Sequence, residues 1–153
     1  METMNYEEQL SAAGIRITAV RLLIWRTLQE RMTNAFSLSD VQDVLYTVDK
    51  STLFRALTLF AEHELLHTID DGSGMQKYCV CRCEEHGHTH DGHRCGHIHM
   101  TCTVCHKTWC IEDIEIPPVS VPEDFMVTER EYIVKGVCKT CRRKGSLSPR
   151  PSR

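Results

Sequence analysis

The sequence lacks the features that mark membrane-bound and secreted proteins. Its 153 residues contain no apolar run near the ~18 residues of a membrane span, and Met1 to Ser11 lack the basic and then apolar order of a secretory signal. None of the nine cysteines comes before Cys79. The net charge is only −3, so no overall basic excess supports binding to nucleic acid, and any such surface must be local. We therefore expect a cytoplasmic protein without a membrane partner, in which thiols stay reduced.

The second half of the chain is rich in metal-ligating residues. All nine cysteines lie between Cys79 and Cys141, and seven of the nine histidines lie between His86 and His106. In a secreted chain such a density of cysteine would indicate disulfides. In a reducing compartment, with histidines interleaved, it indicates bound metal.

The first half of the chain carries the start signals and apolar spacing of helices. Residues suited to cap helices recur along it: Thr18, Ser37 with Asp40, and Asp49 or Ser51. Residues 65–80 then have the pattern of two strands around an Asp- and Gly-rich turn. Helices followed by a hairpin predict a winged helix-turn-helix, although another small α+β domain would fit the same pattern.

Changes in composition divide the chain into four segments. We predict a winged-helix domain at 1–83, a His-rich hinge at 84–96, a small metal-binding α/β domain at 97–145 and a disordered tail at 146–153. The predicted fold class is therefore α+β, with an N-terminal winged helix-turn-helix domain followed by a small α/β domain that holds four cysteines.

Two C-x-x-C pairs are the strongest chemical signal. They comprise Cys102, Cys105, Cys138 and Cys141. A C-x-x-C pair on a tight turn directs two thiolates at one point, and two pairs complete a tetrahedral zinc site with no open position, which is structural and not catalytic. A redox role is the alternative, and the lack of a thioredoxin-like βαβ pattern argues against it.

The remaining cysteines and histidines allow a second, softer site. His97 and His99 are two apart on a predicted strand, so both imidazoles can face one ion. Cys79 ends the predicted wing and Cys110 lies on a later strand, so a site of these four would draw on both domains and could act as a sensor. Thiolate with imidazole favours zinc, with ferrous iron as the alternative. Other residues of this region could bind metal weakly without function: Cys81, Cys83, His86, His88, His90, His93 and Cys95.

The third predicted helix has the composition of a DNA-reading helix. Ser51, Arg55 and Thr58 fall on the side opposite its apolar face, with Phe54 at the border. A guanidinium can bind guanine through two hydrogen bonds, hydroxyls can reach phosphates, and a ring can contact a thymine methyl group. The alternative is a solvated helix face with Phe54 in the core.

These motifs, in this order, resemble the ferric uptake regulator family over about residues 14–141. The resemblance rests on Thr18-x-x-Arg21, Ser51-Thr52-Leu53-Phe54-Arg55, His97-x-His99-x-x-Cys102-x-x-Cys105 and Cys138-x-x-Cys141. It implies a winged-helix repressor that dimerises through its C-terminal α/β domain and binds palindromic operators when a regulatory metal is present. It also implies that the four-cysteine zinc is structural and that the second site, called the hinge site (Cys79, His97, His99 and Cys110), senses metal. Four residues would contact DNA: Arg21, Thr52, Phe54 and Arg55.

The sequence departs from the family pattern at positions that bear on DNA and metal. Members commonly carry Tyr where this chain has Phe54. Iron-sensing members place a His near Ala35 and carboxylates at the positions of Cys79 and Cys110, so the hinge site here is softer, and Cys79 resembles the zinc-uptake branch. An additional His site of many relatives lacks its downstream His, since Arg130 stands there.

We therefore predict a homodimeric, metal-responsive transcriptional repressor and not an enzyme, with double-stranded operator DNA as its partner and no small-molecule substrate. Zinc is the predicted structural metal, and zinc or ferrous iron the regulatory metal. An iron-responsive or peroxide-responsive regulator is the alternative within the same family. Outside it, a zinc buffer or metallochaperone would use the His-rich hinge, and a redox switch would use Cys81, Cys83 or Cys95.

Overall fold

The chain folds as two compact units, Met1–Cys81 and Arg82–Arg153. The computed structural model describes residues 5–80, 98–111, 114, 117–128 and 131–145. Within those ranges no helix combines the length and the apolar character needed to cross a membrane. The predicted α+β class is confirmed, because helices dominate the first unit and strands the second.

The first unit contains four helices and three short strands among its described residues. In chain order they are α1 (Tyr6–Ala12), α2 (Ala19–Arg31), β1 (Phe36–Ser37), α3 (Leu38–Val44), α4 (Lys50–Glu62), β2 (Leu66–Ile69) and β3 (Lys77–Val80). The pair α3 and α4, followed by the hairpin β2–β3, is the predicted winged helix-turn-helix.

Side-chain caps fix where the helices of this unit begin. The Thr18 hydroxyl accepts the Arg21 N–H at 3.2 Å and caps α2. At the start of α3, the Asp40 N–H donates to the Ser37 hydroxyl, and the Ser37 N–H donates to the Asp40 carboxylate. Each cap satisfies an N–H that the first helical turn would otherwise leave without a partner, as the sequence predicted.

The core of the first unit lies between the helices and the sheet. Trp25 on α2 packs edge-on against Phe60 on α4 with ring centroids 5.4 Å apart, and both side chains are buried. Leu53 and Leu57 extend the same buried face of α4. Because this face is fixed in the core, the opposite face of α4 is directed away from it.

The sheet of the first unit has the strand order β1-β3-β2, and both pairings are antiparallel. The two-residue strand β1 was not expected from the sequence. It pairs with β3, where Phe36 stands beside Tyr78 and the two rings stack at 6.0 Å. The strand β3 is therefore central, and all of its residues are buried.

A buried ion pair closes the wing hairpin. The Lys77 ammonium lies 2.6 Å from the Asp71 carboxylate, and their side chains are only 7% and 0% exposed. Asp71 also accepts the N–H of Ser73 at 3.0 Å, which shapes the turn between the two strands.

The second unit contains a mixed sheet and one short helix among its described residues. Its elements are β4 (Ile98–Cys102), β5 (Thr108–Ile111), β6 (Ile133–Gly136) and α5 (Lys139–Arg143). The strand order is β5-β4-β6, with β5 antiparallel and β6 parallel to β4. This arrangement is the small α/β domain that the sequence predicted, and α5 is an addition to that prediction.

Candidate metal centre and nucleic-acid interface

The exposed face of α4 carries the residues predicted to contact DNA. Leu53 is buried, while Ser51 and Arg55 are exposed and Thr52 is half-buried. Phe54 is 50% exposed, so it does not belong to the core. The helix therefore presents an arginine, an aromatic ring and hydroxyls on a solvent-facing surface, which we call the reading face: Ser51, Thr52, Phe54 and Arg55.

Asp49 organises the start of α4. Its carboxylate accepts the N–H of Thr52 at 3.0 Å and the hydroxyl hydrogens of Ser51 and Thr52, each at 2.5 Å. The side-chain hydrogen bonds from Ser51 and Thr52 hold the pKa of this carboxyl well below its usual range. Asp49 is therefore ionised at neutral pH, and it takes the hydrogens of two hydroxyls on the reading face. The sequence indicated Asp49 only as a cap.

Arg21, on α2, has a contact within its own unit. Its guanidinium Nη1 donates to the carbonyl oxygen of Arg16 at 2.8 Å, and the residue is half-buried. One part of the guanidinium thus holds the loop that leads into α2, and no sequence pattern indicated this bond.

The four cysteines of the two C-x-x-C pairs come together in the second unit, as predicted. The sulfur atoms of Cys102, Cys105, Cys138 and Cys141 all lie within 4.8 Å of one another. The Sγ atoms of Cys105 and Cys138 are 3.9 Å apart. A tetrahedral ion with metal–sulfur bonds of about 2.3 Å requires sulfur atoms about 3.8 Å apart, so the cluster fits a structural metal with four thiolate ligands.

The local backbone explains why these sulfur atoms converge. Cys102 ends β4, the tight turn after it brings Cys105 back, and the His106 N–H donates to the Cys102 carbonyl at 2.9 Å. His106 closes the turn with a left-handed φ of 59°, a conformation that is rare outside glycine. On the other side, Cys138 caps α5 by accepting the N–H of Cys141 at 3.5 Å. The parallel pairing of β4 with β6 brings the two turns together.

The thiols of the cluster differ in their pKa values. Burial works against ionisation of Cys102, but backbone N–H groups, first that of Cys138 at 3.3 Å, outweigh it and lower the pKa of Cys102 to about 6. Hydrogen bonding to Cys138, together with burial, raises the pKa of Cys141 to about 12. Cys102 is thus the more readily ionised of the two thiols, and binding of a metal ion would have to displace the proton of Cys141.

Each unit also carries one Cys–His pair across neighbouring strands. Cys79 on β3 stands opposite His67 on β2, and their ligand atoms lie within 4.8 Å of each other. Cys110 on β5 stands opposite His99 on β4. Cys79 and His99 are buried, while His67 and Cys110 are half-buried. Directly opposed residues on antiparallel strands have side chains on the same face, so each pair can direct sulfur and nitrogen at one point.

His67 is the candidate ligand that the sequence analysis missed. Its strand was predicted, but the pairing register with Cys79 was not. The register could have been inferred by counting outward from the turn of the hairpin. His97, which was predicted as a ligand, lies outside the described residues, as do the cysteines and histidines of the predicted hinge and the wing residues Cys81 and Cys83.

Comparison with known proteins identifies this architecture. The model of the Ferric uptake regulator family matches residues 12–135. The ferric uptake regulator of Pseudomonas aeruginosa with manganese superposes with a TM-score of 0.63 at 21% identity, covering 89% of this chain and 99% of that one. The Vibrio cholerae ferric uptake regulator gives 0.62 at 16% identity, covering 88% and 100%.

A third solved structure is similar over almost the whole chain. A zinc uptake regulator complexed with zinc and DNA has a TM-score of 0.55 at 16% identity, covering 95% of this chain and 100% of that one. At sequence identities this low, the structural similarity establishes the fold of this chain. Comparison with curated protein sequences gave no significant match.

Proposed function

We propose that this chain, which belongs to the Ferric uptake regulator family, is a zinc-responsive transcriptional repressor. It acts in the cytoplasm and binds palindromic operator DNA as a metal-loaded homodimer. The four-cysteine cluster holds a structural zinc ion, and a second, regulatory ion controls DNA binding. Family membership supports metal-dependent regulation, and the finer choice of zinc rests on the ligands of this chain.

The choice of zinc is supported by the pairing of a thiol with an imidazole. Cys79 faces His67 within the wing hairpin, and Cys110 faces His99 within the second unit. Sulfur is a softer ligand than carboxylate oxygen and suits zinc better than ferrous iron. Among the regulators of the same fold is a zinc uptake regulator complexed with zinc and DNA.

We assign the regulatory ion to four ligands: Cys79, His97, His99 and Cys110. Occupancy of this set would then control DNA binding. His67 is a further candidate donor because of its place opposite Cys79. A tetrahedral ion takes four ligands, so His67 could bind only in place of one member of the set.

DNA recognition is assigned to Arg21 and to the reading face of α4. Arg55 is suited to bind guanine in the major groove, and Phe54 can contact a thymine methyl group. A zinc buffer or metallochaperone would have no use for a solvent-exposed arginine and a half-exposed aromatic ring on one helix. For that reason a regulator explains the first unit better than a storage protein does.

The test combines metal content with DNA binding. Protein that retains only its structural metal is titrated with free zinc or, without oxygen, with ferrous iron, while binding to duplexes selected from a randomised pool is followed by anisotropy. We expect zinc to induce binding at lower free concentration than iron. Cys79→Ala and His99→Ala should abolish metal-dependent binding and leave one zinc per protomer.

Two further variants sharpen this test. Cys79→Asp replaces thiolate with carboxylate at the same position and should reduce the preference for zinc over iron. Cys81→Ser removes a neighbouring thiol outside the proposed set and should behave as the wild type. Loss of one zinc per protomer with unchanged DNA binding would refute the sensing role, and activation by iron alone would refute the choice of zinc.

A further inference from the structure

The hydrogen-bond network of Asp49 determines what the start of α4 can recognise. A hydroxyl group has one hydrogen to donate and two lone pairs with which to accept. The hydrogens of both Ser51 and Thr52 are directed at Asp49, at 2.5 Å each. An ionised carboxylate can only accept, so the direction of these two bonds is unambiguous. Toward solvent, both hydroxyls therefore offer lone pairs.

A phosphate oxygen is the wrong partner for hydroxyls oriented in this way. Phosphate also only accepts hydrogen bonds, and the Asp49 carboxylate behind the hydroxyls adds a repulsive charge. The right partner is a donor. In the major groove the donors are the exocyclic amino groups of adenine (N6) and cytosine (N4), whereas guanine and thymine present acceptors.

We infer that Asp49 makes Ser51 an acceptor that recognises an adenine or cytosine amino group, about two base steps from the base read by Arg55. Ser51 and Arg55 are four residues apart, on the same face of α4 and about 6 Å apart along its axis. That distance is close to two base steps of roughly 3.4 Å each. The helix then presents an acceptor and a donor to bases about two steps apart, with Asp49 as the positioning residue and Ser51 as the specificity-determining residue.

This inference rests on the proposed DNA binding and deepens it, because the sequence alone allowed these hydroxyls to contact phosphates. It depends on the Asp49 oxygen Oδ1, which accepts both the Thr52 N–H and the Ser51 hydroxyl hydrogen. Asparagine at this position, with its amide oxygen in the place of Oδ1, would still accept both of these hydrogens. Its NH2 group, in the place of Oδ2, would donate to the Thr52 hydroxyl, so that only Thr52 would turn its own hydrogen outward.

The experiment compares sequence preferences. Zinc-loaded wild-type protein and each variant select from a randomised duplex pool, and the bound sequences are counted. Ser51→Ala should remove the preference for adenine or cytosine at one position of each half-site, a loss of roughly 3- to 10-fold in discrimination. Asp49→Asn should retain that preference, because its amide oxygen still accepts the Ser51 hydrogen, while Asp49→Ser, which keeps a cap on a shorter side chain with one oxygen, should weaken the preference.

Matched controls separate this effect from general changes in charge or stability. Asp43→Asn removes an exposed carboxylate from α3 and should leave every base preference unchanged. Arg55→Ala should relax a different position. Thermal unfolding of each variant verifies that the first unit remains folded at the assay temperature.

The outcomes distinguish this inference from the proposed function. If the wild type enriches no sequence in the presence of zinc, the proposed function fails and the inference fails with it. If the wild type enriches a palindrome but Ser51→Ala and Asp49→Ser leave its profile unchanged, the inference alone is overturned. A Ser51-dependent position that prefers guanine or thymine in the wild type would overturn it as well.

Discussion

Replacing Lys77 with Met should destabilise the first unit by about 3 kcal/mol. Lys77 and Asp71 are 2.6 Å apart with side chains 7% and 0% exposed, so the substitution leaves a carboxylate without its buried partner. Breaking a buried pair by removing one member costs about 3–5 kcal/mol, and we expect the lower end because the Ser73 N–H still donates to Asp71. For a unit of this size the midpoint of thermal unfolding should fall by roughly 12 °C or more.

The same pair predicts a dependence on pH. Burial alone would raise the pKa of the Asp71 carboxyl, but hydrogen bonds from Lys77 and Ser73 and the charge of Lys77 outweigh it and hold this pKa well below its usual range. The folded state therefore binds fewer protons than the unfolded state, whose carboxyl titrates near 3.9. The stabilisation is present above about pH 4 and is lost as the pH falls below it, so the difference between wild type and Lys77→Met should narrow in acid.

Urea unfolding followed by tryptophan fluorescence measures this effect. The chain has two tryptophans, one in each unit, so a Trp109→Phe background makes Trp25 the reporter of the first unit. The double variant Asp71→Leu with Lys77→Met removes both charges and should recover much of the lost stability. A single Lys77→Met variant within about 1 kcal/mol of wild type would show that the pair does not stabilise the wing.

Three further predictions concern the metal centre and the DNA interface. Cys138→Ser should unfold or loosen the second unit, and a variant of unchanged stability in the presence of a strong chelator would contradict the structural site. Zinc binding at neutral pH should release protons, because the pKa of Cys141 is raised to about 12 while that of Cys102 is lowered to about 6; an affinity that does not change between about pH 6 and pH 8 would argue against this. Arg55→Ala should weaken operator binding by ~1–3 kcal/mol and relax the preference at one base position. Arg21→Ala should weaken binding to all sequences alike and reduce the slope of log affinity against log salt concentration by about one. Unchanged DNA binding in both variants would mean that α4 is not the reading helix.

Local chemistry made much of the first unit predictable. Caps are short-range, so Thr18 and Ser37 could be assigned from their own neighbours, and both were confirmed. The buried face of α4 followed from helical spacing alone. The four-cysteine cluster was predictable because its chemistry leaves few alternatives for two C-x-x-C pairs.

Features set by long-range packing were not predictable in the same way. Val20 and Leu23 stand at helical spacing with the buried Ile24 and Leu28, yet they are 41% and 44% exposed, because the core covers only part of α2. The two-residue strand β1 is too short to have a period. The opposition of His67 to Cys79 depends on strand register, and a slip of one residue would have placed the imidazole on the other face.

The parallel pairing of β4 with β6 has a consequence for the kinetics of metal exchange. Cys102 and Cys138 are 36 positions apart, so closing the cluster costs roughly 3 kcal/mol of chain entropy before any metal–sulfur bond forms. Contacts over such separations form slowly, and an ion that leaves would have to wait for the same loop to reopen. Cys79 and His67, in contrast, lie within one hairpin, so a regulatory ion that used them as two of its ligands would not require that loop to open. The structural and the regulatory ion should therefore exchange on separate timescales, with the cluster loaded once as the second unit folds and the regulatory ion following the surrounding metal concentration.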